Sequence, residues 1–223
     1  MRRSKASNRF GTAQSPGNPL AAYLPRLELL AARGSGSTAG LKGISQAWQQ
    51  AAQDPLFQTI QDQAVEDLCF QPAAGYWQEL GLRSNLGLTI LYDTTAQHGD
   101  GVDADGLAAI VHRTNTATGG TPAEGVPEKA WLREFLSQRR QTLLHAHNPA
   151  ARRAWSKSVD RVNVLASVLT QNNAALAGPL AIAFSGDRRP SPENGSHALV
   201  QLREPVFHQG RRHLPIVTLK RVA

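Results

Sequence analysis

The chain has 223 residues, of which 41% are hydrophobic and 18% charged, a composition typical of a globular protein with enough chain to bury a core. No apolar run approaches the ~20 residues that a membrane helix needs, which excludes a membrane span. Cys69 is the single cysteine, so an intramolecular disulfide and a cysteine-based zinc site are excluded as well. Residues 1–10 are basic but are not followed by an apolar stretch, and therefore lack the form of a secretory signal peptide.

The formal net charge of +7 lies in the two ends of the chain. Residues 1–10 and 185–223 each contribute +4, whereas residues 11–184 sum to −1. Residues 54–105 hold nine carboxylates and a single arginine. Basic tails support non-specific contact with phosphates, so a non-specific nucleic-acid binder is one hypothesis for this chain. The acidic band indicates instead a surface suited to a cationic ligand.

The first elements along the chain are predicted from turn and capping residues. Residues 34–40 are rich in Gly and Ser and predict a flexible loop. Asp54 followed by Pro55 is typical of a helix N-terminus, and opens an amphipathic helix that continues to Leu68. A short helix is predicted between Pro72 and Gly81.

Four further helices are predicted downstream. The first begins near Leu86 and ends at His98, and Asp103 is expected to cap the next, which runs into the polar loop 114–120. The two longest predicted helices cover 128–147 and 151–169. Asp103 and Asp105 have a spacing seen in calcium loops, but the flanking ligand positions are wrong, so we expect no metal site and no cofactor.

The predicted organisation has three parts. Residues 1–10 form a ragged basic start, and residues 11–184 form one mainly α-helical domain. Residues 185–223 are a low-complexity basic tail rich in Pro, Arg, His and Gly, expected to be disordered or to form marginal β-structure around 198–202 and 216–219.

Three charged residues occupy positions where helical spacing demands apolar side chains. Asp93 lies seven residues after Leu86 and three after Ile90, on the same face of its predicted helix. Arg139 shares one helix face with three leucines. Arg161 shares one helix face with Leu165 and Val168. Burying an unpaired charge costs several kcal/mol, which predicts that Asp93 contacts both arginines. The alternative is that each side chain reaches past its neighbours to solvent.

The predicted network carries an excess positive charge. One carboxylate facing two guanidiniums leaves +1 unpaired, so the network is expected to take another anion, from a residue or from a substrate.

Several segments resemble the chitosanases of glycoside hydrolase family 46. The resemblance is carried by PGNPLAAYLP (16–25), AWQQAAQDPLF (47–57), LYDTTAQHG (91–99), FLSQR (135–139), RVN (161–163), NN (172–173) and GPL (178–180). In this order they cover about residues 11–184. The resemblance implies a lysozyme-like helical fold of two lobes, and an extracellular enzyme that cleaves chitosan, a β-1,4-linked glucosamine polymer, internally and with inversion.

The resemblance also implies roles for particular residues. In the family, a glutamate acid and an aspartate base lie before the segment that matches 16–25, and residues 1–15 contain no Asp or Glu. We therefore expect both catalytic carboxylates upstream and none in this chain, which is expected to be inactive alone. Asp93, Arg139 and Arg161 match a network that orients the catalytic aspartate, and Trp48 matches a tryptophan that packs the lobe or lines the cleft.

A non-catalytic chitosan binder is the alternative hypothesis. Its ligand would be chitosan or chito-oligosaccharide, held through the acidic band. The acids expected to face the substrate are Asp62, Glu66, Asp100 and Asp103.

Overall fold

The described part of the molecule consists of residues 17–178 and the backbone of five short strands between residues 180 and 219, in a computed structural model. It falls into two units, residues 1–68 and 69–223, which are described separately. The predicted basic start and most of the basic tail lie outside the described residues. The nine helices of residues 17–178 confirm the prediction of a mainly α-helical fold.

The first unit contains three helices. They are α1 (Leu24–Ala32), α2 (Ile44–Ala51) and α3 (Pro55–Val65), preceded by a 3₁₀ turn at Ala21–Tyr23. The predicted loop 34–40 lies between α1 and α2, where the Arg26 Nε donates to the Ala39 carbonyl at 2.7 Å. Leu20, Ala51 and Phe57 form the small buried core of this unit.

Helix α3 begins as predicted. The Asp54 carboxylate accepts a hydrogen bond from the Leu56 N–H at 2.9 Å. Pro55 occupies the first helical position, where a backbone N–H would have no partner within the helix and its absence costs nothing. A π-helical turn, Glu66–Phe70, follows α3.

The second unit contains six helices around one core. They are α4 (Gln71–Glu79), α5 (Asn85–His98), α6 (Leu107–Thr118), α7 (Glu128–Leu144), α8 (Pro149–Trp155) and α9 (Val159–Thr170). Fully buried side chains of α5 and α7 dominate this core, among them Leu86, Ile90, Trp131 and Phe135. Among residues 17–178, every helix is too short or too polar to traverse a lipid bilayer.

The start of α5 is tied to the start of α7. The Ser84 hydroxyl caps α5 by accepting from the Gly87 N–H at 2.9 Å. The Glu128 carboxylate, in the first turn of α7, accepts from the Ser84 hydroxyl at 2.6 Å and from the N–H groups of Arg83 and Ser84, each at 3.1 Å. This contact joins two helices whose starts are more than forty residues apart in sequence.

The predicted cap of α6 and the predicted continuous helix 151–169 are wrong. Asp103 does not cap α6: its carboxylate accepts from the Asp105 N–H at 3.1 Å, and Gly106 is the N-cap instead. Gly106 sits there because a Cβ atom would come within 2.5 Å of the Gly101 carbonyl oxygen. The predicted helix 151–169 is divided into α8 and α9 by a 3₁₀ turn at Ser156–Ser158, which helical periodicity does not reveal.

Beyond residue 178, the described backbone forms two small antiparallel sheets. The strands are β1 (Leu180–Ile182), β2 (Ala198–Leu202), β3 (Phe207–His208), β4 (Arg211–Arg212) and β5 (Val217–Leu219). One sheet has the order β1-β2-β5, with Leu180 opposite Val200 and Val200 opposite Leu219, and β3 pairs with β4.

Replacing Glu128 is expected to destabilise the second unit. Glu128→Ala removes the acceptor for three hydrogen bonds at the start of α5, and we expect the free energy of unfolding to fall by about 1–3 kcal/mol in urea denaturation. Glu134→Ala is the matched control, because among the described residues this side chain of the same helix accepts one hydrogen bond, from the Gln138 side chain at 2.7 Å. Equal losses in the two variants would contradict the role assigned to Glu128.

Candidate functional site

The candidate site lies at the meeting of α5, α7 and α9 in the second unit. Asp93 is contributed by α5, Arg139 by α7 and Arg161 by α9. The structure brings these three predicted residues together in one ion-pair network. Their contacts are therefore confirmed, whereas their role in orienting a catalytic aspartate stays a prediction.

Arg139 is the buried member of the network, with 0% of its side chain exposed. Its Nη2 atom lies 2.6 Å from the Asp93 Oδ2 and 3.5 Å from the Asp93 carbonyl oxygen. Oδ2 accepts no hydrogen bond of good angle from the described residues, so the short contact is chiefly an ion pair. Burial lowers the pKa of the Arg139 guanidinium, and the attraction of Asp93 opposes this effect.

Arg161 approaches the same carboxylate from another helix and from a wetter position. Its Nη2 donates to the Asp93 Oδ1, and its Nη1 lies 3.4 Å from the Gln97 Oε1. About half of the Arg161 side chain is exposed, compared with 21% for Asp93. The single carboxylate thus bridges one buried and one hydrated guanidinium.

Two donors of Arg139 have no hydrogen-bond partner among the described residues. They are the buried Nε and Nη1 groups. Buried polar groups are nearly always hydrogen-bonded, and a guanidinium presents its donors in a planar fork that fits a carboxylate. That the network takes a further anion stays a prediction, and Arg161 is the guanidinium of the network with open surface.

A second polar cluster surrounds His98, the last residue of α5. His98 is 7% exposed, and its Nδ1 lies 2.9 Å from the Asp105 carbonyl oxygen. The Trp155 ring of α8 meets the imidazole ring edge-on, with 4.7 Å between ring centroids. Burial and the charge of Arg139 lower the pKa of His98 to about 4, although Asp105 and Asp93 act in the opposite direction.

Asp105 connects the loop before α6 to the segment after α7. Its carboxylate accepts from the His147 N–H at 2.9 Å, the Asn148 N–H at 3.0 Å and the His147 ring at 3.0 Å. Burial raises the pKa of the Asp105 carboxyl, but these hydrogen bonds outweigh burial and leave the pKa below its usual value. Because His147 and Asn148 turn toward Asp105, α7 ends at Leu144 instead of the predicted 147.

The other predicted site residues lie apart from this network or in the other unit. Trp48, on α2, is 47% exposed and packs edge-on against Phe57 at 5.5 Å between ring centroids, so it contributes a partly open contact rather than a core position. Asp62 is exposed and Glu66 partly buried in the first unit. Asp100 and Asp103 are exposed in the second unit, in the loop between α5 and α6. Whether any of these acids faces a substrate stays a prediction.

The sequence did not identify His98 or Asp105 as site residues. His98 lies seven residues after the fully buried Leu91, so helical spacing does place it on the apolar face of α5. Asp105 carries no comparable signal, because its partners come from a loop more than forty residues away. Within the described part of the chain, no three histidine, cysteine or carboxylate side chains are grouped so that they would ligate a metal ion.

Neutralising Asp93 is expected to destabilise the second unit strongly. Asp93→Asn leaves the buried Arg139 charge without its anion, which costs about 3–5 kcal/mol of unfolding free energy in urea denaturation. Arg161→Gln is the matched control and should cost about 1 kcal/mol or less, because Arg161 is half exposed. A near-normal stability of Asp93→Asn would show that Arg139 does not depend on this pair.

The mainly helical second unit agrees with the lysozyme-like helical fold that the sequence resemblance implies. The family model described as Glycosyl hydrolase family 46 matches residues 8–180. The chain belongs to glycosyl hydrolase family 46.

Similar proteins in this family are chitosanases. A chitosanase of Bacillus subtilis (strain 168) is 41% identical over 171 residues, which cover 77% of this chain and 62% of that protein. A chitosanase of Streptomyces sp. (strain N174) is 35% identical over 144 residues, which cover 63% of this chain and 50% of that protein. The chain thus spans between half and two thirds of the length of these relatives.

Solved structures show the same similarity. The Gynuella sunshinyii GH46 chitosanase, determined in complex with chitotetraose, has a TM-score of 0.76 and 42% identity, with 83% of this chain and 77% of that chain covered. The native chitosanase of Bacillus subtilis MY002 has a TM-score of 0.76 and 38% identity, with 81% and 76% covered.

Proposed function

We propose that this chain is the charge-network and substrate-binding part of an extracellular chitosanase that hydrolyses β-1,4 bonds between glucosamine residues, within the polymer and with inversion. The observation that carries the proposal is the buried Arg139, paired with Asp93, in a chain of glycosyl hydrolase family 46. The similar proteins support the substrate class, since the Gynuella sunshinyii structure is a complex with chitotetraose.

Inverting hydrolysis requires two carboxyl groups about 6.5–9.5 Å apart. One protonates the oxygen that leaves, and the other accepts a proton from the water that attacks the opposite face of the sugar. We propose that this chain supplies neither group, because residues 1–15 contain no Asp or Glu and Asp93 is already paired with two guanidiniums.

The charge network would act on the water-activating carboxylate through Arg161, because half of the Arg161 side chain is exposed whereas Arg139 has no exposed surface. A carboxylate that accepts hydrogen bonds from a guanidinium is held in one orientation, and its pKa falls because the charged form is favoured. It would then remain ionised and ready to accept a proton. Arg139 would support this arrangement indirectly, by fixing Asp93 and through it Arg161.

The chain alone is expected to leave chitosan intact. Incubation of the purified chain with chitosan should release no reducing ends above a protein-free control, because no acid and base pair is present. A fusion to the segment of the Bacillus subtilis relative that this chain does not match should gain hydrolysis. The same fusion with that segment's catalytic glutamate replaced by glutamine is the control. Release of oligosaccharides by the chain alone would contradict the proposed absence of the pair, and an inactive but folded fusion would contradict the proposed function.

Binding without hydrolysis is a separate expectation. The chain should be retarded in native gels that contain chitosan, because the acidic band 54–105 attracts the protonated amines of the polymer. The double variant Asp100→Asn, Asp103→Asn should lower the affinity for chitosan, measured from this retardation, about fivefold. This corresponds to about 1 kcal/mol for two exposed charges.

The matched control for binding removes the same charge elsewhere. The double variant Glu28→Gln, Glu134→Gln changes two carboxylates outside the acidic band and should leave the affinity for chitosan nearly unchanged. An equal loss of affinity in both double variants would indicate a response to net charge alone. A wild-type chain that is not retarded would contradict the proposed chitosan binding.

A further inference from the structure

His98 is held in one protonation state by its surroundings. A carbonyl oxygen only accepts hydrogen bonds, so the Nδ1 that lies 2.9 Å from the Asp105 carbonyl must carry the hydrogen. The other ring nitrogen, Nε2, is buried and has no hydrogen-bond partner among the described residues. The imidazole is therefore neutral in this arrangement, with its basic nitrogen facing inward.

Protonation of Nε2 would bring a second positive charge to the buried end of α5. The charged groups that act on His98 are Arg139 from α7, Asp93 from α5 itself and Asp105 from the loop before α6. Trp155, from α8, offers an edge-on ring and no acceptor for a hydrogen bond. The new N–H would lie unsatisfied in the core, and the new charge would compete with Arg139 for Asp93.

Asp105, whose carbonyl accepts a hydrogen bond from His98, makes several other contacts. The Asp105 carboxylate accepts from His147 and Asn148, so loop 99–106 and the segment after α7 are joined at this residue. The Leu107 N–H also donates to the Gly99 carbonyl at 3.0 Å, which closes the same loop. The Nδ1–H persists in the imidazolium, so the Asp105 contact is lost only when the charged ring leaves its buried site, and that departure would loosen both segments together.

We propose that His98 is an acid-sensitive latch: as a neutral imidazole it holds loop 99–106 and the segment 145–148 against the end of α5, and its protonation releases them. The latch lies five residues along α5 from Asp93, and acid therefore opens the structure beside the Arg139 network. The proposal goes beyond chitosan hydrolysis and does not depend on it.

The direction of the pH effect follows from proton linkage. The pKa of His98 is about 4 in the closed form and near its ordinary value of 6.5 when the latch is open, so the open form binds more protons between these values. The closed form is fully favoured above pH 6.5 and loses that advantage as the pH falls toward 4. Between pH 7 and pH 5, the opening equilibrium constant should rise about 20-fold.

Hydrogen exchange of the full chain tests the latch. After correction for intrinsic exchange rates, the amides of Leu107, His147 and Asn148 should lose about 20-fold in protection between pH 7 and pH 5. The Ser84 amide, bound to Glu128 at the other end of α5, is the internal reference and should change much less. A uniform loss of protection at all four amides, or none at any of them, would overturn the proposal.

Two variants isolate the imidazole. His98→Gln has no titrating group and should remove the extra loss of protection, whereas His112→Gln, at an exposed position of α6, should retain it. Nitrogen-15 NMR of the wild-type chain gives a readout that needs no variant. His98 should show the neutral form with Nδ1 protonated at pH 6, and an ordinary titration of His98 near pH 6.5 would overturn the proposal.

Discussion

The second unit depends on keeping a guanidinium charge inside a helical core. Arg139 has no exposed surface, and an unpaired charge there would cost several kcal/mol. Asp93 meets this requirement from α5, and because the same carboxylate also binds Arg161, it joins the three helices α5, α7 and α9. The electrostatic requirement of one buried side chain therefore fixes the relative placement of the elements that make up the candidate site.

The two ends of α5 serve different purposes. Its first turns bury Leu86 and Ile90 completely and are tied by Glu128 to the start of α7, which gives a rigid apolar base. Its last turns carry Asp93 and His98 among other polar groups. Polar groups concentrated at one end of a packed helix lie in a low-dielectric environment, where charges interact more strongly and where a change in protonation has larger structural effects.

Under the proposed function, the supporting groups and the reacting groups lie on different segments. The family match covers residues 8–180 and includes the whole Arg139 network. Residues that orient a catalytic group require a rigid core around them, whereas the reacting carboxylates must reach a sugar chain in an open cleft. Under the proposed function, the chain contains the rigid part of such a site.

The sequence by itself determined the helical class, the N-terminus of α3 at Asp54, and the meeting of Asp93 with Arg139 and Arg161, because these follow from capping chemistry and from charges on apolar stripes. Only the tertiary structure decided the break at Ser156–Ser158 and the roles of His98 and Asp105. The contacts of His98 and Asp105 join residues far apart in sequence, and local periodicity does not indicate which distant carbonyl or carboxylate a polar side chain contacts.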